Sequence, residues 1–584
     1  MKPENYKMMK RYIVIISSKC TLLAGILLLM LSSCNDKEIL KEVPKDFLAP
    51  ENAYSTVSGI RQGISGLHYT FRNYWFWGDQ DQGSMWRGVG TDVAFHGEDP
   101  NSTRFLCNYV NYLIPGSAYV LQYWTRNYEL IQRANVLIEK VEASDAQIWS
   151  GEAQRNAFKA EAMFFRAYAY RILVSYFGDV PLVTEAIKSA KADFTRTPVA
   201  DVYKQIEDDL KYAAANLPGR GKEEAPGRIT QAAAWHLLSE VYLNQGKYQL
   251  AVDAASEVID GGEYGLMTER FGAQHDVFGS GDVYYDLFRY GNQNLSENKE
   301  TIWAIQFEPL ITGGASWSGE RGFGPAYFRW GNAPDGKAAF RGEFVNGKYT
   351  GYSDTLGRPV SWVRPTDYAA YTIWRRSGWN EDIRNAKHSI KRKFYFDNPE
   401  SAFHGQELKF ALFNAEYAGN KRDAIRDSCQ YIYPYFMKFA DPCNHFDNPG
   451  QSGGGYTHQD VYAMRVAETI LNRAEGYLGL GKKDLAAADI NRIRSRAQAP
   501  PVDEADVNIE YILDERAREL YGEEWRHIVL RRVGKLVERV RQYNNNPKNP
   551  GLHIQDHHVL WPIPLSQIDL NIDAATGQNP GYPK

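Results

Sequence analysis

The chain has 584 residues with 67 basic and 71 acidic side chains, a net charge of −4 that gives no reason to expect nucleic acid as a partner. Its length allows two to four domains, yet no long Ser/Pro-rich or charged linker interrupts it, so one large body with long insertions is expected. Five cysteines without any CxxC spacing exclude a framework of disulfides.

The amino-terminal residues are a leader. Lys2, Lys7, Lys10, Arg11 and Lys19 precede the apolar run TLLAGILLLML at 21–31, and small residues then lead to Cys34 in the order Leu31-Ser32-Ser33-Cys34. Basic, apolar, small is the order of a secretory signal peptide, predicted over 1–33. The run is shorter than the roughly 20 residues a membrane-spanning helix needs, and no other stretch is apolar enough to span. A cysteine directly after the small residues resembles the lipobox of bacterial lipoproteins, in which Cys34 becomes the lipid-bearing first residue. Acyl chains at roughly 0.8 kcal/mol per buried CH₂ then hold the protein on a membrane, and the polar stretch 34–45 reads as a tether. Cys20 leaves with the leader. Cys107, Cys429 and Cys443 remain, and a single Cys429–Cys443 bridge is compatible with an oxidising compartment.

Residues 46–265 read as helical. Over 119–141 the apolar positions Val120, Leu121, Trp124, Tyr128, Ile131, Leu137 and Ile138 recur at helical spacing. Thr197-Pro198 predicts an N-cap followed by proline at the first helical position. Val202, Ile206, Leu210 and Ala214 form one face of that helix, and Pro218-Gly219 ends it. An internal repeat sets the architecture. Glu240-Val-Tyr242-Leu243-x-x-Gly246-Lys247-x-x-Leu250-Ala251 returns as Glu475-Gly-Tyr477-Leu478-x-x-Gly481-Lys482-x-x-Leu485-Ala486. Each copy predicts a helix, a Gly-Lys turn and a second helix beginning at Leu-Ala, as in tetratricopeptide-like pairs. One pair cannot bury its apolar face alone, so several stack into an α-helical superhelix.

Residues 266–458 change character: Gly, Asn, Pro, Trp and Tyr are frequent, helical periodicity is weak, and strand-like pieces such as TIWAIQF at 301–307 occur. This is a long loop-rich insertion with a few short strands, the kind of segment that carries binding function on a rigid scaffold. Helices return over 459–543, and an irregular tail closes the body, predicted over 46–584 with its third part at 459–584.

The motifs together resemble the SusD/RagB family. Glu51-x-Ala53-Tyr54 and the segment to Leu67 are similar to its opening helix. Lys159-Ala160-Glu161-Ala162-x-x-Phe165-Arg166-Ala167, followed by Tyr176-Phe177-Gly178-Asp179-Val180-Pro181-Leu182, is the most specific match. Arg228-Ile229-Thr230 and Glu300-Thr-Ile302-Trp303 follow. Later come Arg465-x-Ala467-Glu468, Asn472-x-x-Glu475, Asn491-x-Ile493-Arg494, Glu515-Arg516-x-x-Glu519-Leu520 and Glu523-x-x-Arg526. Trp561-Pro-Ile-Pro564 and Gln578-Asn579-Pro580-Gly581-Tyr582 complete the order. One departure is Val529-Leu530, where related sequences tend to carry Asp-Leu. The resemblance implies a mainly α, right-handed tetratricopeptide-like superhelix and an outer-membrane, cell-surface location. It also implies capture of glycan, or alternatively oligopeptide, for a SusC-like TonB-dependent transporter, with no cofactor.

Catalytic strings are present without their context. Gly450-Gln-Ser452-Gly-Gly454 matches G-x-S-x-G but follows a polar loop instead of a strand. Gly476-x-x-x-x-Gly481-Lys482 mimics a phosphate loop yet lies on the repeat helix and lacks the following Ser or Thr. His553, His557 and His558 near Asp556 lie on a strand-like stretch that would point His557 and His558 to opposite faces, so no metal site is expected. A surface-anchored glycoside hydrolase stays open as a rival, because sequence spacing does not give carboxylate separation. A scaffold that binds only the transporter is a third reading.

Aromatic residues make up 13% of the chain and cluster twice. The first cluster is Tyr69-Thr-Phe71-Arg72-Asn73-Tyr74-Trp75-Phe76-Trp77, with Trp86-Arg87 after it. The second, in the insertion, is Trp317, Phe323, Tyr327, Phe328 and Trp330, then Trp362, Trp374 and Trp379. A flat ring covers the apolar face of a sugar while amides and charges sort its hydroxyls. The expected stacking residues are Trp75, Trp77, Trp317 and Trp330, with polar contacts from Asn73 and Arg321.

Overall fold

The computed structural model describes residues 53–76, 88–101, 106–274, 276, 280–309, 311–340, 344–345, 348–349, 356–409, 429–441 and 457–583. Cys34, Trp77, Trp86, Arg87, Cys443 and the 450–454 string lie outside them. The chain divides into a first unit, Met1–Ile60, and a second, Arg61–Lys584. Of the first only 53–60 is described, where the Thr56 hydroxyl accepts the N–H of Gly59 in the first turn of α1, Val57–Trp75.

In the second unit six helices follow in pairs: α2 Ala118–Ala143, α3 Glu152–Phe177, α4 Val199–Asn216, α5 Gln231–Asn244, α6 Tyr248–Ile259 and, after the insertion, α7 Val466–Gly479. Each packs on the next, and α7 lies on α6 as though no residues separated them. α8 Lys483–Arg496, α9 Ile509–Leu520, α10 Arg526–Arg532 and α11 Leu536–Tyr543 complete the set. This is the tetratricopeptide-like stack that the repeat predicts. From Phe158 onward nearly every residue of α3 is buried, because α2 and α4 cover two sides of it. Arg166 ties the three helices together. Its guanidinium donates to both oxygens of Asp209 on α4 (2.7 and 2.8 Å) and to Asn135 Oδ1 on α2 (2.9 Å).

The α3–α4 connection corrects one expectation. Thr197 is not the N-cap: it forms a β-bridge with Val180, and Pro198 occupies the cap position. The cap is supplied by Asp179, whose Oδ1 accepts the N–H of Val199 at 2.8 Å. The tail motif packs on the same end of α3. Trp561 N–H donates to Tyr176 O (2.7 Å), and Asn579 Nδ2 donates to Phe177 O (2.9 Å). His557 and His558 lie on a 3₁₀ turn, Asp556–Val559, with ring centroids 4.0 Å apart, and not on a strand.

The two repeat copies fold alike. At the end of α5, Lys247 N–H reaches Tyr242 O and Gly246 N–H reaches Leu243 O. At the end of α7, Lys482 reaches Tyr477 and Gly481 reaches Leu478. These are Schellman caps, with Gly246 and Gly481 at φ of 68° and 75°. The second helix begins at Tyr248 or Lys483, two residues earlier than expected, so Leu-Ala sits inside its first turn.

The insertion enters through β2, Thr301–Ile305, and leaves through β6, Val461–Arg465. These strands pair antiparallel, Thr301 opposite Arg465 and Ile305 opposite Val461. Between them, among the described residues, only two-residue strands form. β3, Arg364–Pro365, pairs with β1, Ala94–Phe95, and β4, Ile390–Lys391, with β5, Tyr435–Phe436. No helix of the described residues is long and apolar enough to cross a membrane.

Candidate functional site

Three of the four expected stacking tryptophans are core residues. Trp75 is 1% exposed, edge-on to Tyr123 at 5.1 Å and Trp525 at 5.2 Å. Trp317 is buried beside Phe439 and bridges Thr457, and Trp330 is buried beside Phe396. Among the described residues the insertion has no long helix to supply an apolar face, so its large rings build small local cores instead. Trp362 and Trp374 are buried for the same reason. Trp75 packs on Tyr123 and Trp525, and Trp317 on Phe439, each ring enclosed. Asn73 is half-buried on α1. Arg321 is half-buried with its guanidinium 5.5 Å from the Trp362 ring.

A surface does form where the segment after α1 meets the insertion. Pairing of β1 with β3 lays the 96–101 turn against 358–363, and Glu98 N–H donates to Ser361 O at 2.6 Å. Tyr327–Trp330 is a 3₁₀ turn. Three residues per turn put Tyr327 and Trp330 on one side, inward, and present Phe328 and Arg329 outward. The guanidinium of Arg329 lies 5.9 Å from the Phe328 ring and that of Arg358 5.6 Å from it. Arg329 donates to Glu98 Oε1 at 3.1 and 3.2 Å, and Trp362 Nε1 donates to Glu98 Oε2 at 3.1 Å. Arg321 reaches the same cluster through Trp362, so one of the expected polar residues adjoins this surface. Burial pushes the His96 imidazole down to about 3, so it is neutral, and its Nδ1 accepts the N–H of Asp99 at 3.1 Å.

A half-exposed ring bordered by guanidinium and carboxylate groups suits stacking and hydroxyl recognition. Proton-transfer chemistry needs a poised acid or base. The carboxyls with raised pKa values lie elsewhere. Burial and neighbouring Asp441 hold Glu320 well above the usual range, but its side chain is enclosed. Asp460, pushed up to about 7 by burial, accepts the Phe307 N–H at 2.7 Å.

Among the described residues of the first aromatic run the exposed ring is Tyr69, which periodicity alone could not separate from its neighbours. Arg72 packs 5.6 Å from it and donates to the carbonyls of Gln306 (2.9 Å), Gly314 (3.1 Å) and Gly313. They border a hollow of about 370 Å³, adjoining another of about 450 Å³ across Gly227, Arg228 and Trp303.

Comparison with known proteins places the chain. The family model described as "SusD family" matches residues 299–582, and one described as "Starch-binding associating with outer membrane" matches 88–243. The chain is 33% identical over 581 residues to SusD-like protein P2 of Formosa agariphila, covering 95% of this chain and 98% of that protein. The chain belongs to the SusD family. Within it, the starch-binding protein SusD of Bacteroides thetaiotaomicron is 26% identical over 447 residues, 74% of each chain. Among solved structures, a laminarin-binding SusD-like protein superposes with a TM-score of 0.66 at 22% identity, covering 91% of this chain and all of that one. The SusD-family motif residues Glu300, Arg465, Arg494, Glu515, Arg516, Glu519, Glu523 and Arg526 are buried ion-pair partners, so their role is to hold the fold.

Proposed function

We propose that this SusD-family protein captures a glycan at the cell surface, without catalysis, and delivers it to a SusC-like TonB-dependent transporter in the outer membrane. Lipidated Cys34 and the 34–45 tether hold the body, 46–584, at that membrane after removal of residues 1–33. Relatives named for binding starch and laminarin support the class of cargo. The observation that carries the reading is the outward ring of Phe328 between two arginines, beside the Glu98–Arg329 ion pair. A sugar ring stacks on Phe328 while Arg358, Arg329 and Glu98 sort its hydroxyls, with Arg321 supporting them through Trp362.

The test is binding of residues 35–584 to a polysaccharide panel by affinity gel shift and calorimetry, with product analysis on the same samples. One glycan class should be retained without new reducing ends. Phe328→Ala and Arg358→Ala should each weaken binding roughly tenfold, about 1.4 kcal/mol, with helical content unchanged by circular dichroism. Reducing ends would overturn the non-catalytic reading. Binding of peptides and no glycan would overturn the cargo.

A further inference from the structure

Far along the insertion a second aromatic surface carries an unanswered charge. Trp379 is 37% exposed, and its ring lies parallel to that of Tyr371, tilted by 2° with centroids 6.5 Å apart. The loop is fixed from below: Gly378 has φ of 85°, and Asn385 Nδ2 donates to the Trp379 carbonyl at 2.7 Å. The indole is therefore held in place without being covered.

Arg392 packs against both rings, its guanidinium 4.7 Å from the Trp379 centroid and 5.6 Å from that of Tyr371. Both of its hydrogen bonds leave from Nη2, to Ala370 O at 2.8 Å and Asn385 Oδ1 at 2.6 Å, and its Nε has no partner. Among the described residues no carboxylate pairs with it. Burial accordingly pulls its pKa down to about 10, opposed only by the Tyr371 phenol. In the core, Arg384, Arg465, Arg496, Arg526 and Arg539 each sit on at least one carboxylate, whereas Arg289 is enclosed with only carbonyl acceptors and the Tyr285 ring; Arg392 shares that uncompensated setting but lies at an exposed aromatic face. A desolvated cation without a counter-ion is costly, and an anion supplied from outside offsets that cost. Arg375, exposed and 5.9 Å from the Tyr371 ring, adds a second positive charge at the rim, and Lys387 is exposed nearby in sequence. The acidic group whose field reaches Tyr371 is Asp367, while exposed Glu381 lies beside Gly378. Asp382 is already bonded to Arg384.

We infer that Trp379, Tyr371, Arg392 and Arg375 form a second sugar-binding surface, selective for an anionic sugar that stacks on the indole and places a carboxylate or sulfate against the guanidinium groups. The inference rests on the glycan-capture reading but not on the Phe328 surface. An aromatic face gives affinity for any pyranose; the unpaired arginine gives the preference for charge.

The test uses the full chain in a sugar-free detergent, titrated calorimetrically with trigalacturonate, with a sulfated carrageenan tetrasaccharide and with neutral galactotriose. Wild type, Trp379→Ala, Arg392→Met and Phe328→Ala are compared, each checked for its melting temperature. Expected is binding of at least one anionic probe, weakened roughly tenfold or more in both Trp379→Ala and Arg392→Met and unchanged in Phe328→Ala. Which of the two anionic probes binds distinguishes carboxylate from sulfate. Trp379 is a surface residue, so Trp379→Ala reports even if Arg392→Met melts early. Anionic sugars bound equally by wild type and Trp379→Ala, or neutral probes bound and anionic ones not, would overturn this inference and leave capture at Phe328 standing. Silence of all glycans, including the polysaccharide panel, would remove both.

Discussion

His527 lies between Tyr176, stacked at 4.9 Å, and the edge of Trp561 at 5.9 Å, and neither ring nitrogen has a hydrogen-bond partner among the described residues. Burial pushes its pKa down to about 3, against about 6.5 in the unfolded chain. The unfolded state therefore binds a proton first. Stability is complete above pH 6.5 and is lost as the pH falls from 6.5 toward 3, at up to about 1.4 kcal/mol per unit. His96 acts in the same window and direction. Glu161 acts lower. Held down to about 2 by His68 and Arg228 against its desolvation, it loses its contribution as the pH falls from about 4.5 through that value. His527→Phe keeps the stack and removes two unsatisfied nitrogens. Thermal melts should show stability at pH 7 unchanged or raised by about 1 kcal/mol, and a shallower decline between pH 6.5 and 4. A decline as steep as wild type would contradict this account. Residue roles of this kind were poorly legible in sequence. Glu161, Arg166 and Arg228 stood out as motif members, but their partnerships did not: Arg228 lies 67 residues from Glu161, and Asp209, 43 from Arg166, belongs to no motif.

At the scale of elements, α6 and α7 approach closely because α7 carries Gly476 and Gly479 on the facing side. A methyl at Gly476 would meet Val252 Cγ2 at 2.9 Å and the Tyr248 carbonyl at 3.2 Å; one at Gly479 would first meet the Tyr248 ring, at 2.4 Å. Backbone cannot yield without parting the helices, whereas Tyr248 is 37% exposed and can swing outward. Gly476→Ala should therefore cost about 1–3 kcal/mol and Gly479→Ala less, despite its shorter contact. Urea unfolding of the two variants checks the order, and equal losses would refute it. The repeat was readable because both copies obey the same cap geometry. The helix at 199–216 was readable by its apolar face, yet its cap was not, since Asp179, at the far end of the same connection, holds the first N–H.

Across the whole molecule, a buried ion network binds insertion and helices into one body. Arg384 contacts Glu515 (2.8 Å) and Glu519 (3.0 Å), Arg465 contacts Glu300 (2.7 Å), Glu519 (3.0 Å) and Glu523 (2.7 Å), and Arg496 contacts Glu300 (2.6 Å) and Glu519 (2.5 Å). These arginines hold the Glu515 and Glu519 carboxyls far below the usual range despite burial. Glu519→Gln leaves three buried guanidinium groups short of a charge and should destabilise by about 3–5 kcal/mol. Burial shields the network, so the loss should differ little between about 0.1 M and 1 M salt; strong salt dependence would mean the pairs are solvated. The aromatic clusters show why the proposed binding surface was less legible than the fold. A helix declares its buried face by period, but a loop-rich segment does not, and of the eight aromatics named there only Trp379 is exposed and Phe328 half-buried. Because β2 and β6 lie side by side, the chain departs from the helical stack and rejoins it at one doorway. Whatever is threaded between those strands leaves α6 resting on α7. The insertion is thus a cassette: exchanging the stretch inside the doorway would leave the helical stack intact, provided its replacement still brings cations to meet Glu515, Glu519 and Glu523.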